Sequence, residues 1–390
     1  MALPRDARLF LLSSVVGSFA GSFHGLYFNL YLKDLGYGQD WIGLLTAISS
    51  LVVVATALPL GLSAGAMGYK RLLLGGMGLQ AAGMALPALL PRPGWLVAAA
   101  AVGGLGGAMG AVVGGPLLAE LAEGGARARL FGLQAGASVL AGMAGSALAG
   151  VLPRLYAALG GLPAQGPEAY RAALLTGFFL YLCAFIPLVG LHGGRNSPAL
   201  SLRALRGYRR FAGRLALINV LIGLGAGLIL PFVNLFFRLR FALPDPLLGL
   251  VFALNSLLIG VGNLASPLLA RRFGRIRVVV ACQALSLPFF FLWGYVPVAS
   301  LAILGYLVRT SLMNLAGPMF SVAVMEAVPP ELRSGASAVN TVCWQGGWAL
   351  GSLISGFVQV RWGFAPLFPA TVLLYAVAIG LTWRSFGEAP

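Results

Sequence analysis

The sequence predicts an all-α membrane protein with twelve transmembrane helices in two pseudo-symmetric six-helix bundles. Three observations predict it. Hydrophobic residues make up 59% of the 390 before the 55 glycines are counted, more than a water-soluble fold of this length can bury. Apolar runs of about 20 residues, the length an α-helix needs to cross a hydrocarbon core, recur from end to end. The second half also repeats the first at a near-constant offset of 206 residues.

Taken in order, the spans are expected at 9–32, 41–63, 72–91, 95–118, 130–152, 172–191, 213–237, 246–269, 277–296, 298–325, 336–359 and 364–383. The first run continues for a full span and lacks a small-residue cleavage site, so it reads as a retained helix. Cys183, Cys282 and Cys343 each fall within a span and show no metal-ligand spacing, so no metal and no cofactor are expected.

The net charge of +16 could suggest a nucleic-acid partner, but its distribution has a simpler cause. Eighteen basic residues, Lys70, Arg71, Arg271, Arg272 and the arginines of 203–214 among them, fall in segments on the N-terminal side of the spans. Seven fall on the other side: Lys33, Arg92, Arg154, Arg171, Arg238, Arg240 and Arg361. Basic residues collect on the cytoplasmic face, which places both termini inside and makes nucleic-acid binding unnecessary.

At the 206 offset, Asp34–Arg71 aligns without a gap on Arg240–Arg277, and Gly43, Ser50, Leu58 and Gly68 meet Gly249, Ser256, Leu264 and Gly274. Glu120 and Arg127 meet Glu326 and Arg333; Gly145-Ser146 and Gly150 meet Gly351-Ser352 and Gly356. An offset of 205 lays Phe28–Lys33 over Val233–Arg238. Six spans per half keep both copies in one orientation. The domains are therefore a bundle at 1–191, a basic cytoplasmic linker at 192–212 and a bundle at 213–390, a transporter plan.

On these residues the chain resembles the major facilitator superfamily. That family carries Gly-x-x-x-Asp-Arg/Lys-x-Gly-Arg/Lys-Arg/Lys between spans 2 and 3; Gly61, Gly68, Lys70 and Arg71 lie in its frame. Gly65 stands at the Asp position and Tyr69 at a basic one. Read from the residues alone, Gly68 and Gly274 permit tight turns between spans, while the basic residues, with Arg271, Arg272 and Arg277 in the second copy, hold the loops at the anionic inner leaflet. The resemblance implies in addition a latch that forms and breaks as the halves move. Glu120 with Arg127 and Glu326 with Arg333 flank the inner loops after spans 4 and 10; each pair can bond to itself or across to the basic loop of its own half.

All ten acidic residues fall in loops or at helix ends, so the usual intramembrane carboxylate relay is missing. Arg309 is the charged residue well inside a span, expected to face a central cavity and to meet an anionic or dipolar substrate, or else to bond the carbonyls of a helix broken near Gly317-Pro318. Span 1 offers Ser14, Ser18, Ser22 and Asn29 on one face and His24, Tyr27 and Tyr31 on another. The first face recurs in span 7 as Asn219 and Asn234. Span 11 adds Asn340, Trp344, Gln345 and Trp348, an aromatic and amide lining that suits sugars or amphipathic molecules. His24 titrates near neutral pH when unperturbed, which makes it the candidate for proton coupling. Each set reads equally as helix packing and inter-helix hydrogen bonding.

The expectation is a monomeric secondary transporter in the inner membrane, with a small organic molecule (sugar-like, drug-like or an organic anion) as substrate and the lipid bilayer as its other partner. Spans of this family that favour efflux often carry Gly-Pro-x-x-Gly-Gly; Gly145–Gly150 keeps its first and last glycines, and export is the direction taken. An importer, a uniporter or a non-transporting receptor of the same fold are the alternatives. An enzyme is not expected: His24 and His192 cannot meet, and no phosphate-binding Gly-rich loop with Lys-Ser/Thr is present.

Overall fold

The computed structural model describes residues 3–121, 125–161, 163–192, 209–329 and 333–386, the side chains of 125, 126, 128, 333 and 334 excepted. Twelve long helices follow one another: α1 Arg5–Asp34, α2 Gln39–Met67, α3 Tyr69–Leu89, α4 Pro93–Glu120, α5 Gly125–Ala158 and α6 Pro167–Val189. Then come α7 Arg209–Phe241, α8 Asp245–Phe273, α9 Arg275–Tyr295, α10 Ala299–Glu326, α11 Arg333–Trp362 and α12 Leu367–Phe386. All but α11 are long and apolar enough to cross a membrane by composition alone. α11 is 30 residues long, and its Asn, Gln and Trp side chains lower its hydropathy. Two helices are interrupted. α6 breaks at Ala184, and α7 tightens into a 3-10 turn over Leu230–Phe232, where Pro231 lacks the N–H that the ladder needs.

Single glycines join α2 to α3 and α8 to α9. Gly68 has φ 84° and ψ 131°, and Gly274 has φ 85° and ψ 144°, a region closed to residues with a Cβ. The tight turns expected from the sequence are therefore made at matching positions of the two halves.

The repeat extends to packing. In the first half α1 packs on α5 and α6, and α3 on α4 and α6; in the second, α7 packs on α11 and α12, and α9 on α10 and α12. Two apolar cores sit at equivalent places. Leu72, Leu73, Leu118 and Leu130 belong to one; Val278, Val279, Val324 and Ala336, their 206-offset partners, belong to the other. Large apolar side chains such as Phe179, Leu264 and Leu373 stand more than half exposed, as lipid-facing residues do.

The chain divides into two compact units. One takes Met1–Gly38, Ile48–Ala199 and Phe237–Ser256; the other takes Gln39–Ala47, Leu200–Phe236 and Leu257–Pro390. The units follow the sequence halves except where the first turns of α2, and the end of α7 with the first turns of α8, change sides. Glycines explain both exceptions. In the first unit, a Cβ on Gly249 would come within 2.6 Å of the Gly150 Cα and the Ser146 carbonyl oxygen, so α8 lies on α5 backbone to backbone. In the second, a Cβ on Gly356 would meet the Gln39 carbonyl oxygen at 2.6 Å and the Asp40 Cα at 2.9 Å, so α11 lies on α2 in the same way.

Candidate functional site

The serine face of α1 opens on a cleft in the first unit. Ser13, Ser14 and Ser18 line it with Gln80 of α3, Gln134 of α5 and Tyr181 of α6, around a volume of about 410 Å³. α4 makes the room. Its Gly106 presses against α3, where a Cβ would meet the Gln80 backbone nitrogen at 2.6 Å, whereas a Cβ on Gly107 would only touch the Gln80 side-chain oxygen at 3.6 Å and Gly110 faces open space. The lining contains hydroxyls, amides and a phenol but no charged group. Each amide offers both donors and acceptors, so the cleft suits a neutral molecule rich in hydroxyl, carbonyl or ring-nitrogen groups. Gln134 donates to Ser138 at 3.3 Å. Ser22, one turn beyond the cleft, donates to the carbonyls of Ser18 and Gly142 at 3.1 and 3.0 Å.

The other residues singled out on α1 lie deeper. Asn29 is buried, and so are Tyr27 and Tyr31. The Tyr27 hydroxyl donates to the Ala149 carbonyl at 2.6 Å, and its ring stacks on Tyr170 at 5.0 Å. His24 stacks on Phe28 at 4.6 Å, and its Nδ1 is buried without a hydrogen-bond partner among the described residues.

In the second unit, Asn219 donates to the Leu215 carbonyl at 2.8 Å and Asn234 accepts from the Leu235 N–H at 2.9 Å. These contacts are local to α7. On α11, Trp344 and Trp348 stack at 5.0 Å, confirming that i, i+4 places them on one face, and Asn340 and Gln345 are partly exposed beside them.

Arg309 is 1% exposed. It donates to the Tyr375 hydroxyl at 2.9 Å, and its guanidinium lies over the Phe290 ring at 4.6 Å and the Tyr375 ring at 5.5 Å. Its Nε has no acceptor among the described residues. The side chain is thus held among α9, α10 and α12 rather than at the surface of its unit. The repeat diverges here in where the glycine contact falls. Gly103, the 206-offset partner of Arg309, is packed on α3, where a Cβ on Gly83 would meet the Gly103 Cα at 2.7 Å. The equivalent helices in the second half meet one turn away instead, where a Cβ on Gly305 would come within 2.7 Å of the Trp293 backbone nitrogen.

At the N-terminal side of the spans, the Lys70 ammonium donates to the Val189 carbonyl at 2.8 Å, capping the C-terminus of α6 as basic side chains do. Gly61 is partly exposed, and Arg71, Arg127, Arg271, Arg272, Gly274 and Arg277 are exposed. Glu326 forms an ion pair with Arg275, across to the basic loop of its own half. Glu120 is partly exposed; the position equivalent to Arg275 in its half is Tyr69, buried. The Arg333 side chain and the linker residues 193–208 lie outside the described residues. No cluster that could hold a metal occurs among the described residues.

One constellation escaped the sequence reading. Asp245, at the first position of α8, is 2% exposed, pairs with Arg238 of α7 and accepts the Tyr170 hydroxyl of α6 at 3.2 and 3.3 Å. Its place at a helix end pointed to a loop carboxylate. The signal that could have found it is the adjacent Gly249, matched to Gly43 in the repeat, since a side chain next to a backbone contact is buried with it.

The sequence model described as Major Facilitator Superfamily matches residues 10–208 and 215–390. An uncharacterized MFS-type transporter, YhhS, of Salmonella enteritidis PT4 is 28% identical over 196 residues, 48% of this chain and 47% of that protein; the matched region spans about half the length of that curated relative. Among solved structures, an inward-facing, unoccupied bacterial homolog of the human lysosomal transporter Spinster superposes with a TM-score of 0.76 at 13% identity, covering 100% of this chain and 99% of that one. A D-xylose-proton symporter superposes with a TM-score of 0.74 at 14% identity, covering 99% of each.

Proposed function

The chain belongs to the major facilitator superfamily, and we propose that it carries a small, neutral, hydrogen-bonding solute across the inner membrane by alternating access, as a monomer with both termini in the cytoplasm. The observation that carries this reading is the cleft of Ser14, Ser18, Gln80, Gln134 and Tyr181, uncharged and about 410 Å³ in volume, large enough for a sugar or nucleoside ring with water. A solved symporter of the same fold takes D-xylose with protons, a solute of that chemistry. The basic asymmetry supports the orientation. A cysteine at Leu159, 85% exposed in the α5–α6 connection, should label from outside intact cells.

Export rests on Gly145 and Gly150, and both are engaged in helix contacts: Gly145 lies on the Phe19 carbonyl and Gly150 on Gly249. Close packing accounts for both glycines, so direction is a matter for vesicles of both orientations. Purified protein in proteoliposomes, offered labelled pentoses, hexoses, nucleosides and organic anions, should give saturable flux of a neutral member. Flux of none, from folded protein, would favour the receptor reading.

A second reading is favoured by Arg309. A guanidinium with an Nε donor left without an acceptor is satisfied by an anionic or strongly dipolar solute that reaches between α10 and α12. Saturable flux of the organic anions alone would select it.

A further inference from the structure

We propose that Asp245 is a proton-binding site through which external acidity opens the contact between α5 and α8. This goes beyond the transporter reading but takes from it the orientation that puts Asp245 on the outer side. Among the described residues Asp245 is the only buried acid. Three elements hold it: Arg238 from α7 as counter-ion, Tyr170 from α6 as hydroxyl donor, and α5, whose Gly150 lies against the Asp245 carbonyl oxygen, a Cβ there meeting it at 2.8 Å.

The sign follows from these contacts. With α8 seated on α5, both the guanidinium and the hydroxyl favour the carboxylate over the acid. Protonating Asp245 there would take from Arg238 the carboxylate it pairs with, in a site where its Nε has no acceptor among the described residues. When α8 leaves α5 and α6, Asp245 loses Tyr170 and meets water while Arg238, seven residues before it, stays near, so a proton binds more readily than in the closed form. The proton therefore binds the open form better than the closed one, so acid outside holds the contact open and its release permits closing.

The other ionisable groups near the cluster do not supply this response. Tyr27 of α1 stacks on Tyr170, and Tyr156 of α5 lies near Tyr27; each contributes a hydroxyl that donates and accepts rather than a carboxylate. Asp34, at the exposed end of α1, also lies in the field of Arg238 and acts on Tyr170, but it accepts no bond from Tyr170 in the described contacts, and its own variant separates it from Asp245. The matching contact of α2 on α11 has Gln39 where α8 has Asp245. An amide does not titrate, so one contact of the pair senses protons and the other does not.

The test places a thiol at the contact. Ser146, 6% exposed with its carbonyl against Gly249, is replaced by Cys in a chain whose Cys183, Cys282 and Cys343 are Ser. Maleimide labelling in nanodiscs is measured against the unfolded protein at each pH, which removes the thiol's own titration. Relative labelling should stay flat from about pH 8 to about pH 6 and rise as pH falls from about 6 to about 3, the range in which a carboxylate held below its ordinary value gains its proton. Asp245→Asn should label at the acid rate throughout, Tyr170→Phe should move the midpoint up by about one pH unit, and Asp34→Asn should leave it in place. If Asp245→Asn yields no folded protein, the Tyr170→Phe midpoint decides. A flat wild-type profile, a pH response surviving in Asp245→Asn, or an unmoved Tyr170→Phe midpoint overturns the proposal. No solute enters the assay, so absent flux with this response intact sinks the transporter reading alone, and flux with flat labelling sinks this one alone.

Discussion

Gly150 of α5 lies against Gly249 of α8 so closely that a Cβ on Gly150 would come within 2.8 Å of the Gly249 Cα. Their 206-offset partners, Gly356 and Gly43, hold α11 against α2, a Cβ on Gly43 meeting the Gly356 Cα at 3.2 Å. One internal duplication thus makes two equivalent contacts. Neither has room for a methyl group, and overpacking costs about 1–3 kcal/mol. Gly150→Ala should therefore leave the protein folded but shift it toward the separated form, raising thiol labelling at position 146 and lowering the maximal transport rate. Gly43→Ala should do the same at α2 and α11. Unchanged labelling and rate in Gly150→Ala would mean that the contact does not open during transport.

These glycines also mark how far the sequence could be read. Twelve spans and their pairing into halves were legible because hydropathy and the repeat report on the membrane and on topology directly. The turns at Gly68 and Gly274 were legible because a single residue between two helices needs positive φ. What Gly43, Gly150, Gly249 and Gly356 touch was not legible: a periodicity shows that positions are equivalent but not which surface each meets. The same gap hid the cleft. Ser14 and Ser18 were visible on their face of α1, but Gln80 and Gln134 join them only through the bare wall of α4. Arg309 was visible as an unusual charge, and its aromatic partners Phe290 and Tyr375 come from helices 19 and 66 residues away.

The cleft makes a prediction about recognition. Gln80→Ala and Gln134→Ala each remove an amide that can bond a neutral solute, an interaction worth about 0.5–1.5 kcal/mol. Each should raise KM by about threefold to tenfold while leaving the maximal rate near wild type. Gly107→Leu, which fills the wall beside the Gln80 side chain, should abolish binding without unfolding the chain. Binding by isothermal calorimetry that survives Gly107→Leu would move the solute elsewhere.

Arg309 separates stability from function. A buried charge with incomplete hydrogen bonding is often replaced by an apolar residue of similar length with no loss, or with a gain of about 1–4 kcal/mol. Arg309→Met should accordingly keep or raise the melting temperature, and Arg309→Lys should lower it, because an ammonium cannot lie flat over Phe290 while reaching Tyr375. If the guanidinium also meets an anionic solute, both variants bind it at least about tenfold more weakly, the scale of a lost charged hydrogen bond. Solute binding that is equal in wild type, Arg309→Lys and Arg309→Met would confine the residue to packing.

Coupling to protons sets His24 against Asp245. His24 is attractive from sequence because an unperturbed imidazole titrates near neutral pH. In the fold it stacks on Phe28 with Nδ1 buried and unbonded, and no carboxylate pairs with it among the described ion pairs. An imidazolium there would lack a counter-ion, whereas Asp245 already has one in Arg238 and lies where α8 meets α5. A coupling group must change its proton affinity between the two access states, and Asp245 does so by gaining and losing Tyr170. Proteoliposomes with an imposed pH gradient decide between them. His24→Gln should retain gradient-driven accumulation of solute, and Asp245→Asn should lose it while still exchanging solute down its own gradient. The reverse pattern, accumulation lost in His24→Gln and kept in Asp245→Asn, would return the coupling to α1. Accumulation that ignores the pH gradient in the wild-type protein would leave a uniporter, with the Asp245 cluster governing access alone.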